Sequence, residues 1–160
     1  MIKYFLFLFF FATAHAENIS YQCKFEEVHN SGEIHQGILL ISNKKLRYEY
    51  SNENLYTLIH KKNNLYLIRN SQSDFYEKIQ KNKILFDLII SVFNDYPDFK
   101  KNYKQDKHTL IIEKTHKNNF LKRIGIITPQ QKLSVYLNDC LYKDIEDKFF
   151  SFSPFFEYKI

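Results

Sequence analysis

The side chains able to do acid–base or metal chemistry are few and scattered. Five histidines follow residue 16, and no two of them have the spacing at which one helix presents a metal site: His29, His35, His60, His108 and His116. His29 and His35 flank a predicted turn, so they could meet across a hairpin and bind a metal together with Glu33. The alternative is that all three are exposed polar residues beside the turn, and we predict that arrangement and no metal site.

The carboxylates and cysteines form no catalytic pattern either. Glu26 and Glu27 are adjacent on a predicted strand, so their side chains point to opposite faces and cannot share one site. Cys23 and Cys140 are a candidate disulfide in an exported chain, and the alternative is two buried free thiols. There is no Gly-x-Ser-x-Gly elbow and no glycine-rich phosphate loop among three glycines. We therefore predict no enzymatic activity and no cofactor, with a small hydrolase of unrecognised site as the disfavoured alternative.

The first sixteen residues have the pattern of a secretory signal peptide. Lys3 provides the positive charge, residues 4–11 are an unbroken apolar run, and Ala14-His15-Ala16 has the small-x-small pattern of a cleavage site. The run is far shorter than the ~20 residues that span a bilayer, which disfavours the alternative of an uncleaved anchor. We predict cleavage after Ala16, leaving residues 17–160 as one exported domain.

Charged residues are interspersed along the chain. The sequence has 23 Lys and Arg against 18 Asp and Glu, a formal net charge of +5. No stretch forms a basic arm, so we predict that the protein does not bind nucleic acid. Aromatic residues make up 18% of the sequence, which suits half-buried strands or a cavity lined with rings.

Alternating apolar and polar residues predict that most of the domain is β-strand. The predicted strands are residues 19–26, 34–41, 46–50, 55–59, 65–68, 75–79, 108–114, 119–127, 133–137, 141–145 and 149–153. Between residues 84 and 93, apolar residues recur at helical spacing instead. This predicts one helix with an unusually broad apolar face, and Asn82 is its expected N-cap.

A series of short motifs follows a fixed order along the chain. Phe25 precedes a turn at residues 30–32, Gly37 opens a strand, and the run Leu46-Arg47-Tyr48-Glu49-Tyr50 follows. A hairpin at residues 55–68, the helix and the closing run Phe149-Phe150-Ser151-Phe152-Ser153-Pro154 complete the order. This order resembles that of the periplasmic outer-membrane lipoprotein carriers, the LolA family, over nearly the whole exported chain. The chain departs from the family in being short, in lacking its usual N-terminal helix, and in having residues 42–45 in place of its Arg-Pro turn.

The resemblance implies both a fold and a function. The fold would be mainly β with one helix (α+β), as a curved, incompletely closed antiparallel β-barrel or sheet wrapped over the helix. The function would be that of a monomeric periplasmic carrier, which binds the acyl chains of lipoproteins in an apolar groove and moves them toward the outer membrane. Its partners would be acylated lipoproteins, an inner-membrane lipoprotein-releasing transporter and an outer-membrane acceptor. The alternative is a secreted binding module of the same fold for another apolar ligand or a protein partner, without a transport role.

The broad apolar face of the helix predicts where the cargo would bind. One sheet face can cover only part of it, and large exposed apolar patches are uncommon on soluble monomers. We predict an acyl-chain groove between the helix and the strands, lined by Leu40, Leu46, Tyr48, Tyr50, Leu58, Leu67, Leu85, Leu88, Ile89, Val92 and Phe93. The alternative is that residues 99–103 or 155–160 cover the helix and leave no groove.

Overall fold

The computed structural model describes residues 20–72, 75–80, 83–115 and 120–153 of the 160-residue chain. Several predictions lie outside these described residues: the signal peptide with its cleavage site after Ala16, the helix N-cap Asn82, and the covering tail at residues 155–160.

Strands make up most of the described chain, with one α-helix and one 3₁₀-helix. In chain order the elements are β1 (Tyr21–His29), β2 (Ile34–Ser42), β3 (Lys45–Tyr50), β4 (Tyr56–Lys61), β5 (Asn64–Arg69), β6 (Tyr76–Ile79), α1 (Lys83–Asn94), β7 (Asn102–Gln105), β8 (His108–Lys114), β9 (Leu121–Ile127), β10 (Lys132–Tyr142) and the 3₁₀-helix (Asp147–Phe150). The ten strands form one antiparallel sheet in the order β6-β5-β4-β3-β2-β1-β10-β9-β8-β7. The sheet is not closed, and the prediction of a mainly β protein with one helix is confirmed.

Three strand predictions are corrected. The two strands predicted at 133–137 and 141–145 are one long strand, β10, which runs to Tyr142 through a β-bulge. At the bulge Asp139 has a positive φ of 49°, which interrupts the alternation that the sequence prediction relied on. The segment predicted as a strand at 149–153 is not a strand, and its first two residues belong to the 3₁₀-helix. Strand β7 was not predicted, because it has too few apolar residues.

The two faces of the sheet bury different residues, because successive side chains of a strand point to opposite faces. Residues that pair across neighbouring strands have their side chains on the same face. We call the face that carries the partners Leu39, Tyr48 and Leu58 the helix face, because these residues form one core with α1. The opposite face carries the partners Leu40, Arg47 and Ile59. We call it the strap face, because residues 145–153, named the strap here, lie against it.

A disulfide joins two neighbouring strands in the interior of the sheet. Cys23 of β1 and Cys140 of β10 are bonded across a Cα–Cα distance of 4.1 Å, and 117 positions separate them in sequence. The bond lies beside the bulge, where the pairing of β1 with β10 shifts register between Gln22 and Lys24. An oxidising compartment is compatible with this bond.

Candidate binding site on the helix face

Helix α1 buries most of its surface, as its broad apolar face predicted. Its buried residues are Leu85, Phe86, Leu88, Ile89, Ile90, Val92 and Phe93. Ser91 and Asn94 are exposed and Asp87 is half-buried, so a narrow polar strip faces outward. The helix contacts β3, β5, β7 and β8.

Most of the predicted groove residues come together on the helix face. One buried core contains Leu46, Tyr48, Tyr50 and Leu58 from the sheet together with Leu85, Leu88, Ile89, Val92 and Phe93 from α1. The side chain of Leu67 is half-buried and packs against this core. The residues within the core are only 0–8% exposed, so the helix lies directly on the surface that was predicted to line the groove.

Leu40 is the exception, and its predicted place in the groove is wrong. It pairs with Arg47 on the strap face and packs against Ile145 and Phe150, apart from the core that contains α1. No local pattern decides which face Leu40 occupies, because Leu39, Leu40 and Ile41 are consecutive apolar residues and all three are buried. Only the pairing register with β3 decides which of them faces the helix.

The segment after the helix helps to cover the core. Phe99 and Tyr103 belong to the same buried core as α1, which supports the alternative that residues 99–103 cover the helix. The Tyr103 hydroxyl donates to Asp95 Oδ2 at 2.9 Å and accepts from the Lys100 N–H at 3.1 Å. Burial raises the pKa of Tyr103 to about 12. The bond to Asp95 attaches the covering segment, residues 99–103, to the end of the helix.

A buried carboxylate lies among the aromatic rings of the helix face. Glu27 is only 6% exposed, and it accepts a hydrogen bond of 2.6 Å from the Tyr48 hydroxyl and one of 3.0 Å from the Tyr50 hydroxyl. Burial and then the nearby Glu27 charge raise the pKa of both tyrosines well above 10. Sequence reasoning missed this group, although alternation from Tyr21 through Phe25 places Glu27 on the helix face.

The two histidines of the first hairpin meet beside this carboxylate. The rings of His29 and His35 are 5.2 Å apart between centroids, and their side chains are about one-fifth exposed. His29 Nε2 lies 2.7 Å from Glu27 Oε1, and His35 Nε2 lies 3.1 Å from Glu33 Oε1. They are therefore more buried than the predicted exposed pair. Across the described residues, no group of three or more His, Cys, Asp or Glu side chains is arranged to hold a metal ion.

A polar contact holds α1 near its first turn. His60 of β4 is 3% exposed, and its Nε2 lies 2.9 Å from Asp87 Oδ1. Lys83 of the same helix donates to Asp87 Oδ2 at 2.7 Å. Burial lowers the pKa of His60, and this effect outweighs the opposing effect of the Asp87 charge.

Comparisons with known proteins name no family for this arrangement. No protein-family model matches the chain, and no curated protein matches it at a significant level. Within the described ranges, the one α-helix is too short to cross a membrane.

Proposed function

We propose that this protein is an exported, periplasmic carrier, in which α1 and the helix face of the sheet enclose the acyl chains of lipoproteins. The observation that carries the proposal is the core shared by α1 and the sheet, because it joins aliphatic residues and aromatic rings over the whole length of the helix. An apolar surface is not directional, so acyl chains can take the place of helix side chains on it. The Cys23–Cys140 disulfide is compatible with an exported protein.

The contacts of α1 also support a sheet that is wrapped over the helix. The helix contacts β3 and β5 as well as β7 and β8. Four strands, β2, β1, β10 and β9, separate these two groups in the sheet order. Neighbouring strands lie about 4.8 Å apart, so a flat sheet would hold the two groups too far apart for one helix of about 10 Å diameter to touch both. A curved sheet that encloses the helix accounts for the contacts.

The size of the cargo sets what the site must do. A triacylated lipoprotein has about 40 methylene groups, and burying them is worth about 30 kcal/mol at ~0.8 kcal/mol each. A carrier must recover part of this free energy when it binds the acyl chains, and it must later release the cargo. Since the core residues are only 0–8% exposed, acyl chains would enter by displacing α1 from the sheet. The polar contacts of Asp87 and Asp95 would then hold the helix in place when no cargo is bound.

The test is binding of a fluorescent fatty acid by two matched variants. Leu46→Ala removes side-chain volume from the helix face and Leu40→Ala removes it from the strap face, and both leucines are at most 1% exposed. Each change should destabilise the fold by about 2–5 kcal/mol. We expect the wild-type protein to bind the probe, Leu46→Ala to change its affinity several-fold, and Leu40→Ala to leave it unaltered at a temperature where both variants are folded. A wild-type protein that binds neither probe nor lipoprotein would refute the carrier proposal.

A second candidate function is a secreted binding module for another apolar ligand or a protein partner. The observation in its favour is the cover that Phe99 and Tyr103 add to the core, since both are at most 7% exposed. Mass spectrometry of what co-purifies with the protein distinguishes the candidates. Acylated lipoproteins would support the carrier, whereas an unacylated protein as the bound partner would support the binding module.

A further inference from the structure

The strap face holds a buried arginine that binds main-chain carbonyl groups. Arg47 is 0% exposed and lies at the middle of β3. Its guanidinium donates to the carbonyl oxygens of Phe149 and Ser151 at 3.1 Å each and to that of Ser153. Glu49 fixes its orientation, because the Arg47 Nε donates to Glu49 Oε2 at 2.6 Å. A single side chain thus binds every second carbonyl of a five-residue stretch.

Lys61 binds a further carbonyl of the strap. Its Nζ donates to the Phe150 carbonyl oxygen at 3.1 Å and lies 3.7 Å from the centre of the Phe152 ring. Lys45 at the other end pairs with the Asp147 carboxylate. The strap face therefore presents the cations of Arg47, Lys61 and Lys45 to the strap, and it suits a segment with an acidic residue at one end and accessible carbonyl oxygens along its length.

Two aromatic side chains of the strap fill separate sites on the sheet. Phe150 is 2% exposed and packs against Leu40 and Ile145. Phe152 stacks on Tyr76 with ring centroids 4.0 Å apart and meets Tyr66 edge-on at 4.9 Å. Because Phe150 and Phe152 are separated by one residue, the strap face suits a segment with an aromatic-x-aromatic pattern.

The contacts that hold the strap could be made by a similar segment of another protein. Carbonyl oxygens are common to all residues, so Arg47 and Lys61 recognise a main chain and not a sequence. The N–H groups of Phe149 and Ser151 bond within the strap itself, to the Glu146 and Lys148 carbonyls. The strap thus holds its shape locally and docks mainly through its carbonyls and rings.

Exposed aromatic surface continues past the Phe152 site. Tyr76 of β6 is 48% exposed and Phe75 beside it is 58% exposed, and β6 is an edge strand among the strands that the structure describes. An incoming segment could contact these rings before the strap leaves the strap face. We propose that the strap face is a peptide-binding site, which the strap fills in the isolated protein, and that its partner is a protein segment with an acidic residue followed, three positions later, by aromatic-x-aromatic.

The proposal is tested with a fluorescent synthetic peptide of residues 144–153 and the full-length protein. The attached strap competes at an effective concentration in the millimolar range, so we expect the wild type to bind the peptide weakly. Phe152→Ala weakens the strap's own docking at a half-buried ring, so this variant should stay folded and bind the peptide at least about ten-fold more tightly than the wild type. In the double variant Phe152→Ala/Lys61→Ala, the peptide affinity should be about three-fold or more lower than in Phe152→Ala alone.

The controls separate specific docking from other outcomes. A peptide with the residues equivalent to Phe150 and Phe152 replaced by alanine should not bind. The proposal fails if Phe152→Ala, folded by circular dichroism, binds the peptide no better than the wild type, or binds the alanine peptide equally well. It also fails if Phe152→Ala forms a dimer without peptide, because the occupant would then be the strap of a second copy.

Discussion

The same strands bury their two faces by different physical means. On β3, Leu46 and Arg47 are consecutive and both 0% exposed, yet Leu46 packs in the core with α1 while Arg47 binds carbonyls of the strap. The helix face is held mainly by apolar contact, which has no preferred direction. The strap face depends on a buried cation, whose acceptors must be at fixed positions. Apolar contact suits the replacement of the helix by an apolar ligand, and carbonyl binding suits the replacement of the strap by another protein segment.

The largest expected effect is that of Arg47→Met on the strap face. The change takes the guanidinium away from the buried Glu49 carboxylate and from three strap carbonyls. Breaking a buried ion pair from one side costs about 3–5 kcal/mol, so urea unfolding should show a loss of that size. The double variant Arg47→Met/Glu49→Leu should recover part of it, because no buried charge is then left behind. A loss below about 1 kcal/mol would show that the strap face does not depend on this arginine.

The next effect concerns the disulfide, which lies on the helix face. Cys23→Ala/Cys140→Ala opens a loop of 117 residues, and removing a native disulfide from a small domain costs about 2–5 kcal/mol. We expect lower global stability with the strap still docked, because the disulfide joins β1 to β10 and does not contact the strap face. Amide exchange of the folded variant checks this. Loss of protection at residues 149–153 before α1 would contradict the independence of the two faces.

A smaller effect distinguishes hydroxyl groups on the two faces. Tyr48→Phe removes a 2.6 Å hydrogen bond to the buried Glu27 carboxylate, so we expect a loss of about 1.5–3 kcal/mol. Tyr76→Phe on the strap face is the matched control, because its side chain is 48% exposed and the ring that stacks on Phe152 is kept. Its effect should stay within about 0.5 kcal/mol. Equal losses would mean that Glu27 does not need the Tyr48 hydroxyl.

The helix face was more predictable from sequence than the strap face, for a physical reason. Period-two alternation placed Leu46, Tyr48 and Leu58 together, and helical periodicity placed α1 against them. Both signals are local. The strap contacts join Arg47 to residues 102 and more positions away, and local patterns carry no information about such pairs. The alternation also failed at Leu40, where consecutive apolar residues are buried on both faces.

The place of Glu27 among the rings of the helix face follows from the same period-two alternation. Tyr21, Cys23, Phe25 and Glu27 are spaced by two, so one strand face carries three apolar residues and a carboxylate. A carboxylate in such a position needs hydrogen-bond donors when it is buried. Tyr48 and Tyr50 provide them, and the register that brings them close depends on pairing between β1, β2 and β3.

The smallest expected effect is a pH dependence confined to the helix face. His60 is buried with its Nε2 2.9 Å from Asp87 of α1, and burial lowers its pKa below 6.5. The Asp87 charge and the Lys44 carbonyl act in the opposite direction, and the Lys83 charge adds to the lowering. The unfolded chain therefore takes up a proton at a higher pH than the folded protein does. The contribution of His60 to stability is complete above pH 6.5 and is lost as the pH falls from there toward the lower folded pKa.

Urea unfolding of His60→Gln between pH 7.5 and 5 tests this dependence. The variant cannot take up that proton, so its stability should fall less steeply than that of the wild type below pH 6.5. Asp87→Asn should fall more steeply, because burial then lowers the His60 pKa without the opposing charge. Equal slopes in the three proteins would contradict the assignment. Since Asp87 belongs to α1 and the strap has no contact with His60 among the described interactions, amide exchange in mild acid should rise in α1 before it rises at residues 149–153. That order would show that the apolar cover of the sheet loosens while the cover held by Arg47 stays in place.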